Sequence, residues 1–153
     1  MPWSVDRPDP VWVKTDADAS RLLEKLSRVD IIAIDTETTG LDIVRDQIEF
    51  WSLSTGDDRY FMQRKMLGHF RKLFADRDKT WLGTHVKYDA HMLANAGIEL
   101  KGDLVCTLVM DRLLNPDNAH GLKEVYEREF DERVLSFGEV FFPRDKKNTP
   151  YKP

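Results

Sequence analysis

The distribution of apolar and polar positions along the chain predicts strands and helices in a mixed order. Short apolar or alternating runs predict strands at 11–15, 31–34, 48–55, 59–63 and 80–85. Apolar residues at a helical period predict a helix that begins at Thr15 or Asp16, and further helices at 65–74, 88–96, 106–114 and 122–130. This order predicts a mixed α/β domain in which helices pack on a central β-sheet.

The strand at 31–34 is apolar at every position, which predicts a central strand covered on both faces. Asp35 and Glu37 follow it, and side chains two residues apart on a strand share one face. Two neighbouring carboxylates beside a core repel each other and are costly to desolvate, so this pair favours a cation such as Mg²⁺ or Mn²⁺. The alternative is that the strand simply emerges into solvent and the acids are exposed.

A third acid lies in the stretch VKYDAHML, at 86–93. Asp89 begins an amphipathic helix there, with Met92 and Leu93 on its inner face. An acid in the first turn is also favourable for the helix itself, because it offsets the exposed N–H groups. Asp89 is therefore either a simple helix-start residue or a third member of an acidic site.

Length, charge and composition limit the classes of protein to which this chain can belong. The 153 residues fit one domain, with residues 1–10 as a lead-in and 137–153 as an irregular tail. A net charge of −4 argues against a protein that coats nucleic acid through its own basic residues, but it allows an enzyme that uses bound metal ions. The single cysteine, Cys106, excludes an internal disulfide and fits a cytoplasmic protein. No apolar run approaches the ~20 residues of a membrane span, so we expect no membrane partner.

The stretches DTETTGLD, at 35–42, and VKYDAHML together resemble the first and second motifs of the 3′–5′ exonuclease domain of family A, polymerase I-like DNA polymerases. That domain belongs to the DnaQ-like, ribonuclease H-like superfamily. The resemblance covers about 31–130 and includes HGLKEVYERE, at 120–129. It implies a ribonuclease H-like fold and a proofreading-type exonuclease in a bacterial or phage-infected cell. The implied partners are the 3′ end of single-stranded DNA and a polymerase domain, in the same chain or a separate one.

The resemblance also implies roles for individual residues. The catalytic metal ligands, which would hold two divalent ions (Mg²⁺ or Mn²⁺) for phosphodiester hydrolysis, are Asp35, Glu37 and Asp89. The residues implied to bind the 3′-terminal nucleotide are Thr38, Leu41, His85 and Tyr88. Of these, Leu41 would pack against the terminal base. His85 stands where the family commonly has Asn, so it either contacts substrate or is only a strand-end histidine.

One family feature is missing from the sequence. The third motif, Tyr-x-x-x-Asp or His-x-x-x-x-Asp, does not occur in the 153 residues, and we expect the C-terminal part of the domain to be absent. Two alternatives therefore stay open. The chain is a catalytically incomplete nucleic-acid-binding or scaffold module of this fold, or it is a ribonuclease D-like 3′–5′ exoribonuclease, since contacts to the RNA 2′-OH cannot be identified from the sequence.

Overall fold

The computed structural model describes residues 9–134, and a six-stranded mixed sheet forms its centre. The strands lie in the spatial order β1-β4-β3-β2-β5-β6, with the bounds β1 Val11–Val13, β2 Ile31–Thr38, β3 Ile48–Ser54, β4 Arg59–Gln63, β5 Thr80–Gly83 and β6 Asp103–Cys106. Strand β3 pairs antiparallel with β2 and β4, whereas the β1–β4, β2–β5 and β5–β6 pairs are parallel. The predicted mixed α/β fold is confirmed. The predicted tail at 137–153 and most of the lead-in at 1–10 lie outside the described residues.

Helices follow the predicted order, with the bounds α1 Asp16–Leu26, α2 Arg71–Phe74, α3 Val86–Asn95, α4 Thr107–Leu114 and α5 Leu122–Phe130. Helix α1 begins after Thr15, whose hydroxyl accepts the N–H of Asp18 while the Asp18 carboxylate accepts the N–H of Thr15. The predicted helix at 65–74 is instead a 3₁₀ helix, Arg64–Phe70, that continues into α2. None of the helices within residues 9–134 has the length and apolarity needed to cross a membrane.

Strand β6, Asp103–Cys106, is not among the predicted strands. The predicted helix at 106–114 begins at the last residue of this strand, Cys106. The strand has only four residues, lies at the edge of the sheet and leaves Leu104 46% exposed, so no alternating pattern marks it. Its parallel pairing with β5, which the local sequence does not encode, makes it a strand.

The core occupies one face of the sheet, between the strands and the layer made by α1, the 3₁₀ helix, α2 and α3. Trp51 and Trp81 are fully buried there. Phe74 lies between them, with ring centroids 5.5 Å from Trp51 and 5.3 Å from Trp81. Burial of such large rings supplies much of the hydrophobic stabilisation, at about 25 cal/mol for each Å² removed from water.

The prediction that β2 is covered on both faces is wrong. The strand is interior to the sheet, as predicted, and Ile32 and Ile34 face the core. On its other face Ile31 is 59% exposed and Ala33 is only partly buried. The other face of β2 borders a cleft beneath α5 instead of a packed layer.

The turn before β6 yields a stability prediction. Gly102 has a φ of +92°, and a Cβ there would lie 2.2 Å from the carbonyl oxygen of Lys79. We expect Gly102→Ala to lower the free energy of unfolding by roughly 2–4 kcal/mol, because the left-handed backbone and the steric clash add. Urea unfolding measures this. Gly68→Ala is the matched control, since nothing lies within 4 Å of a Cβ there, and equal midpoints for both variants would contradict the prediction.

Candidate active site

Strand β2 carries the two predicted acids on its open face. Strand pairing continues past them to Thr38, so Asp35 and Glu37 stand within the strand, opposite Ser52 and Phe50 of β3. Ile34 and Thr36 alternate with them and are buried, which confirms that the two acids share a face. On the other edge β5 pairs with β2 only as far as Ala33. The backbone of β2 beyond Ala33 therefore needs another partner on that side.

Asp89 supplies this partner. It lies in the first turn of α3, which starts directly after β5, and it is only 3% exposed. Its Oδ1 accepts the backbone N–H of Thr36 at 2.9 Å and the hydroxyl of Thr36 at 2.7 Å. Asp89 thus does more than start a helix, because it bonds α3 to the strand segment between the two acids. Thr36 is not among the predicted site residues, because its only signal in the sequence is a polar residue on the core face of an apolar strand.

The three carboxyl groups influence one another. Partial burial of the Asp35 carboxyl raises its pKa to about 6, although the residue as a whole keeps contact with solvent, and the charges of Asp89 and Glu37 add to the shift. Burial also raises the pKa of Asp89, and the hydrogen bonds from Thr36 oppose that shift. The site therefore concentrates negative charge where ionisation is unfavourable without a cation.

The donor set fits a hard divalent cation, which prefers carboxylate oxygens. In the described part of the chain, 9–134, no three His, Cys, Asp or Glu side chains lie close enough together to hold one ion. Asp35 and Glu37, adjacent on one face, are the pair suited to direct ligation. The roles assigned to Asp35, Glu37 and Asp89 stay predictions.

Two of the predicted substrate residues hold the turn that follows β2. The hydroxyl groups of Thr38 and Tyr88 are 2.9 Å apart, and each donates to the carbonyl oxygen of Gly40, at 2.7 and 3.0 Å. Leu41 follows this carbonyl and is 88% exposed. The structure thus places Thr38, Tyr88 and Leu41 together, with the two hydroxyls positioning the turn and the leucine projecting from it.

His85, the fourth predicted substrate residue, is exposed and occupies the N-cap position of α3, where its side chain makes no capping hydrogen bond. Its backbone is left-handed, with φ 59° and ψ 31°. Among residues other than glycine, Asn, Asp and His adopt this conformation most readily. The backbone alone therefore explains why His can replace the Asn that is common in the resembling family, and substrate contact by His85 stays a prediction.

A buried polar cluster joins α4 to α5 and was not recognised in the sequence. Asp111 is 7% exposed and accepts hydrogen bonds from Nδ1 of His120 at 2.7 Å, from Asn115 at 3.0 Å and from Arg128. The hydrogen bond from His120 is the main reason that the pKa of Asp111 is lowered. His120 and Arg128 are nine and seventeen residues from Asp111, so no short motif reveals the cluster. It orients α5 over the open face of β2.

Comparison with known proteins decides the family. Residues 10–150 match the profile of the 3′–5′ exonuclease domain of family A DNA polymerases. The chain belongs to this 3′–5′ exonuclease family. Membership confirms the resemblance seen in the two acidic motifs.

Solved structures agree with the family. NrnC of Brucella melitensis, solved with bound Mg²⁺, is 31% identical over 71% of this chain and 57% of its own, with a TM-score of 0.64, and it has also been solved bound to pGG. Escherichia coli RNase D is 17% identical over 92% of this chain and 40% of its own, with a TM-score of 0.74. This similarity confirms the ribonuclease H-like exonuclease fold. The chain spans little more than half the length of NrnC.

The bond between Thr36 and Asp89 yields a prediction on activity. Thr36→Val keeps the shape and the backbone N–H but removes the hydroxyl that donates to Asp89. We expect it to lower stability by roughly 1–3 kcal/mol and to reduce nuclease turnover, because the Asp89 carboxylate loses one of the two bonds that orient it. Thr36→Ser, which keeps the hydroxyl, is the control and should retain most activity. Equal turnover in the two variants would show that the hydroxyl does not position Asp89.

The raised pKa of Asp35 predicts how stability depends on pH. A folded-state pKa of about 6, above the ordinary value of 3.8 for an aspartate, means that the folded protein binds this proton more tightly than the unfolded chain does. In EDTA, the resulting stabilisation is present below pH 4 and is lost as the pH rises through about 6. Asp35→Asn should remove this loss, so that the variant gains stability relative to the wild type between pH 4 and 7 in urea unfolding. Asp57→Asn, in the exposed β3–β4 turn, should follow the wild-type profile, and parallel profiles for Asp35→Asn would contradict the assignment.

Proposed function

We propose that this domain hydrolyses the terminal phosphodiester at the 3′ end of single-stranded DNA. The observation that carries the proposal is the concentration of three carboxyl groups at β2 and α3, where Asp89 and Glu37 both act on the raised pKa of Asp35. Such an arrangement costs stability unless a cation accompanies it, and it is the arrangement that phosphodiester hydrolysis with metal ions needs. Family membership supports the 3′–5′ direction.

We propose that Asp35 and Glu37 hold two divalent ions, Mg²⁺ or Mn²⁺, with Asp89 beside them. Such ions, when bound, lower the pKa of a water molecule and offset charge on the scissile phosphate. NrnC, to which this chain is similar, has been solved with Mg²⁺, which supports this choice. Thr36 keeps Asp89 oriented toward β2 through its two hydrogen bonds.

The turn after β2 would receive the terminal nucleotide. Leu41 is almost fully exposed. The carbonyl oxygen of the preceding residue, Gly40, accepts hydrogen bonds from the hydroxyl groups of Thr38 and Tyr88, so the leucine projects from a turn that these bonds stabilise. An apolar side chain in this place can pack against any base, because single-strand binding relies on stacking more than on reading of base edges. His85, exposed at the start of α3, would contact the same nucleotide. We propose that a polymerase domain, in the same chain or a separate one, delivers the DNA end.

A second substrate class is supported by one observation. NrnC, to which this chain is similar, has been solved bound to pGG. Short oligonucleotides, including RNA, are therefore the second candidate. The noncatalytic scaffold is the third, and it predicts binding of single strands without release of nucleotides.

The test is an exonuclease assay with the 153-residue chain, Mn²⁺ and single-stranded DNA labelled at either end. We expect release of label from the 3′ end and a ladder of shortened products from the 5′-labelled strand. Asp35→Ala should reduce the rate roughly a hundredfold or more, since removal of a catalytic group commonly has effects of at least this size. Asp57→Asn should leave the rate unchanged.

Several outcomes would overturn the proposal. A rate unaffected by Asp35→Ala would place the activity elsewhere or in a contaminant. Faster cleavage of RNA or of pGG than of DNA would favour the second substrate class. Binding of DNA without release, in Mg²⁺ and in Mn²⁺, would favour the scaffold.

A further inference from the structure

The loop between β2 and β3, residues 39–47, is closed by hydrogen bonds among its own residues. At its base, the N–H of Thr39 donates to the carbonyl oxygen of Gln47 at 3.0 Å, and the N–H of Gln47 donates to the hydroxyl oxygen of Thr39 at 3.1 Å. Inside the loop, the carboxylate of Asp46 accepts the hydroxyl of Thr39 and the N–H of Asp42, both at 2.7 Å. These bonds connect both halves of the loop, so it has a defined conformation.

Helix α3 holds the loop at two further points. The hydroxyl of Tyr88 donates to the carbonyl oxygen of Gly40 at 3.0 Å, and the side-chain amide of Asn95 donates to the carbonyl oxygen of Ile43. Seven residues separate Tyr88 from Asn95, which is about 10 Å along a helix that rises 1.5 Å for each residue. The loop therefore lies along α3, and its second attachment point is about two turns away from Asp89.

The apolar side chains of this loop are on its outside. Leu41, Val44 and Ile43 are 88%, 83% and 41% exposed. The backbone of Val44 is nevertheless fixed, because its N–H donates to the Asp42 carboxylate at 2.9 Å. An ordered loop that exposes three apolar side chains forgoes the stabilisation that their burial would give, and such exposed apolar patches mark binding surfaces.

Polar and basic side chains flank this apolar surface. Arg45 in the loop is exposed. On α3, Lys87, His91 and Asn95 are spaced four residues apart and are all exposed, so they form one stripe along the helix that holds the loop. Positive charge beside apolar side chains suits a single nucleic-acid strand, whose phosphates and bases meet the two kinds of group. The surface is continuous with the turn at Leu41, next to the acidic site.

We propose that Val44 is a second base-contacting residue, which packs against a base upstream of the terminal nucleotide, and that Asp46 and Asn95 position it. This inference rests on the proposed function, because it assigns a further contact to the same strand. The distance of about 10 Å between the two attachment points corresponds to roughly three stacked bases at 3.4 Å each. Val44 therefore contacts only strands that are longer than a dinucleotide.

The test compares a dinucleotide with a single DNA strand of about eight nucleotides, a length within the usual range of binding sites. Both carry a fluorescent label at the 5′ end, and anisotropy measures their affinity for the 153-residue chain with Ca²⁺ in place of Mg²⁺. We expect Val44→Ser to weaken binding of the longer strand roughly tenfold, because one base contact is lost, and to leave the dinucleotide unaffected. Leu113→Ser is the matched control, since Leu113 of α4 is 79% exposed, and it should bind both as the wild type does.

The outcomes separate this inference from the proposed function. If Val44→Ser binds both lengths as the wild type does, the apolar loop serves a protein partner instead, and the inference alone is overturned. An equal loss for both lengths would place Val44 at the terminal nucleotide and would also overturn it. If the wild-type chain binds neither length, the proposed function fails together with the inference.

A second experiment tests the positioning role of Asp46 without substrate. Asp46→Ala removes the acceptor for Thr39 and Asp42, so the amides of 39–47 should exchange with solvent roughly tenfold faster, while the amides of α1 stay unchanged. The same variant should bind the longer strand more weakly. Asp46→Asn, whose side-chain oxygen can accept the N–H of Asp42 and whose amide can donate to Thr39, should restore both properties. Unchanged exchange at 39–47 in Asp46→Ala would exclude this role.

Discussion

The hydrogen bonds between Thr36 and Asp89 are the interaction on which the site depends. Strand β2 extends beyond Ala33, the last residue that pairs with β5. Beyond that point the carboxylate of Asp89 accepts the backbone N–H of Thr36. A hydrogen bond to a charged group contributes roughly 1.5–3 kcal/mol when it is buried, so this contact secures both the start of α3 and the end of β2. Because Thr36 lies between Asp35 and Glu37, the same contact sets the spacing between the acid of α3 and the two acids of the strand.

The placement of Asp35, Glu37 and Asp89 close together makes their ionised forms unfavourable. Asp35 and Asp89 both have raised pKa values, chiefly because burial penalises their charged forms. Such groups cluster where a protein needs them for binding or chemistry. The left-handed backbone of His85 lies at the start of the helix that carries Asp89, so conformational strain and charge are concentrated in one region.

The two faces of the sheet differ in how they are covered. One face is packed by four helical segments around Trp51 and Trp81, while the other carries the acids and borders the cleft beneath α5. The cluster of Asp111, His120 and Arg128 holds α5 over this second face through polar contacts. A packed core on one side thus supports an accessible site on the other, which suits the exonuclease function that we propose.

The sequence by itself determined the class of fold, the order of the predicted elements and the common face of Asp35 and Glu37, because periods of 2 and 3.6 residues are local properties of the chain. It also placed Asp89 in the first turn of its helix. Only the tertiary structure decided that Thr36 binds Asp89 across 53 positions and that 103–106 forms a strand. It also revealed that, within residues 9–134, β2 is covered on one face only. These features arise from contacts between distant segments, and no local pattern of hydrophobic and polar residues encodes them.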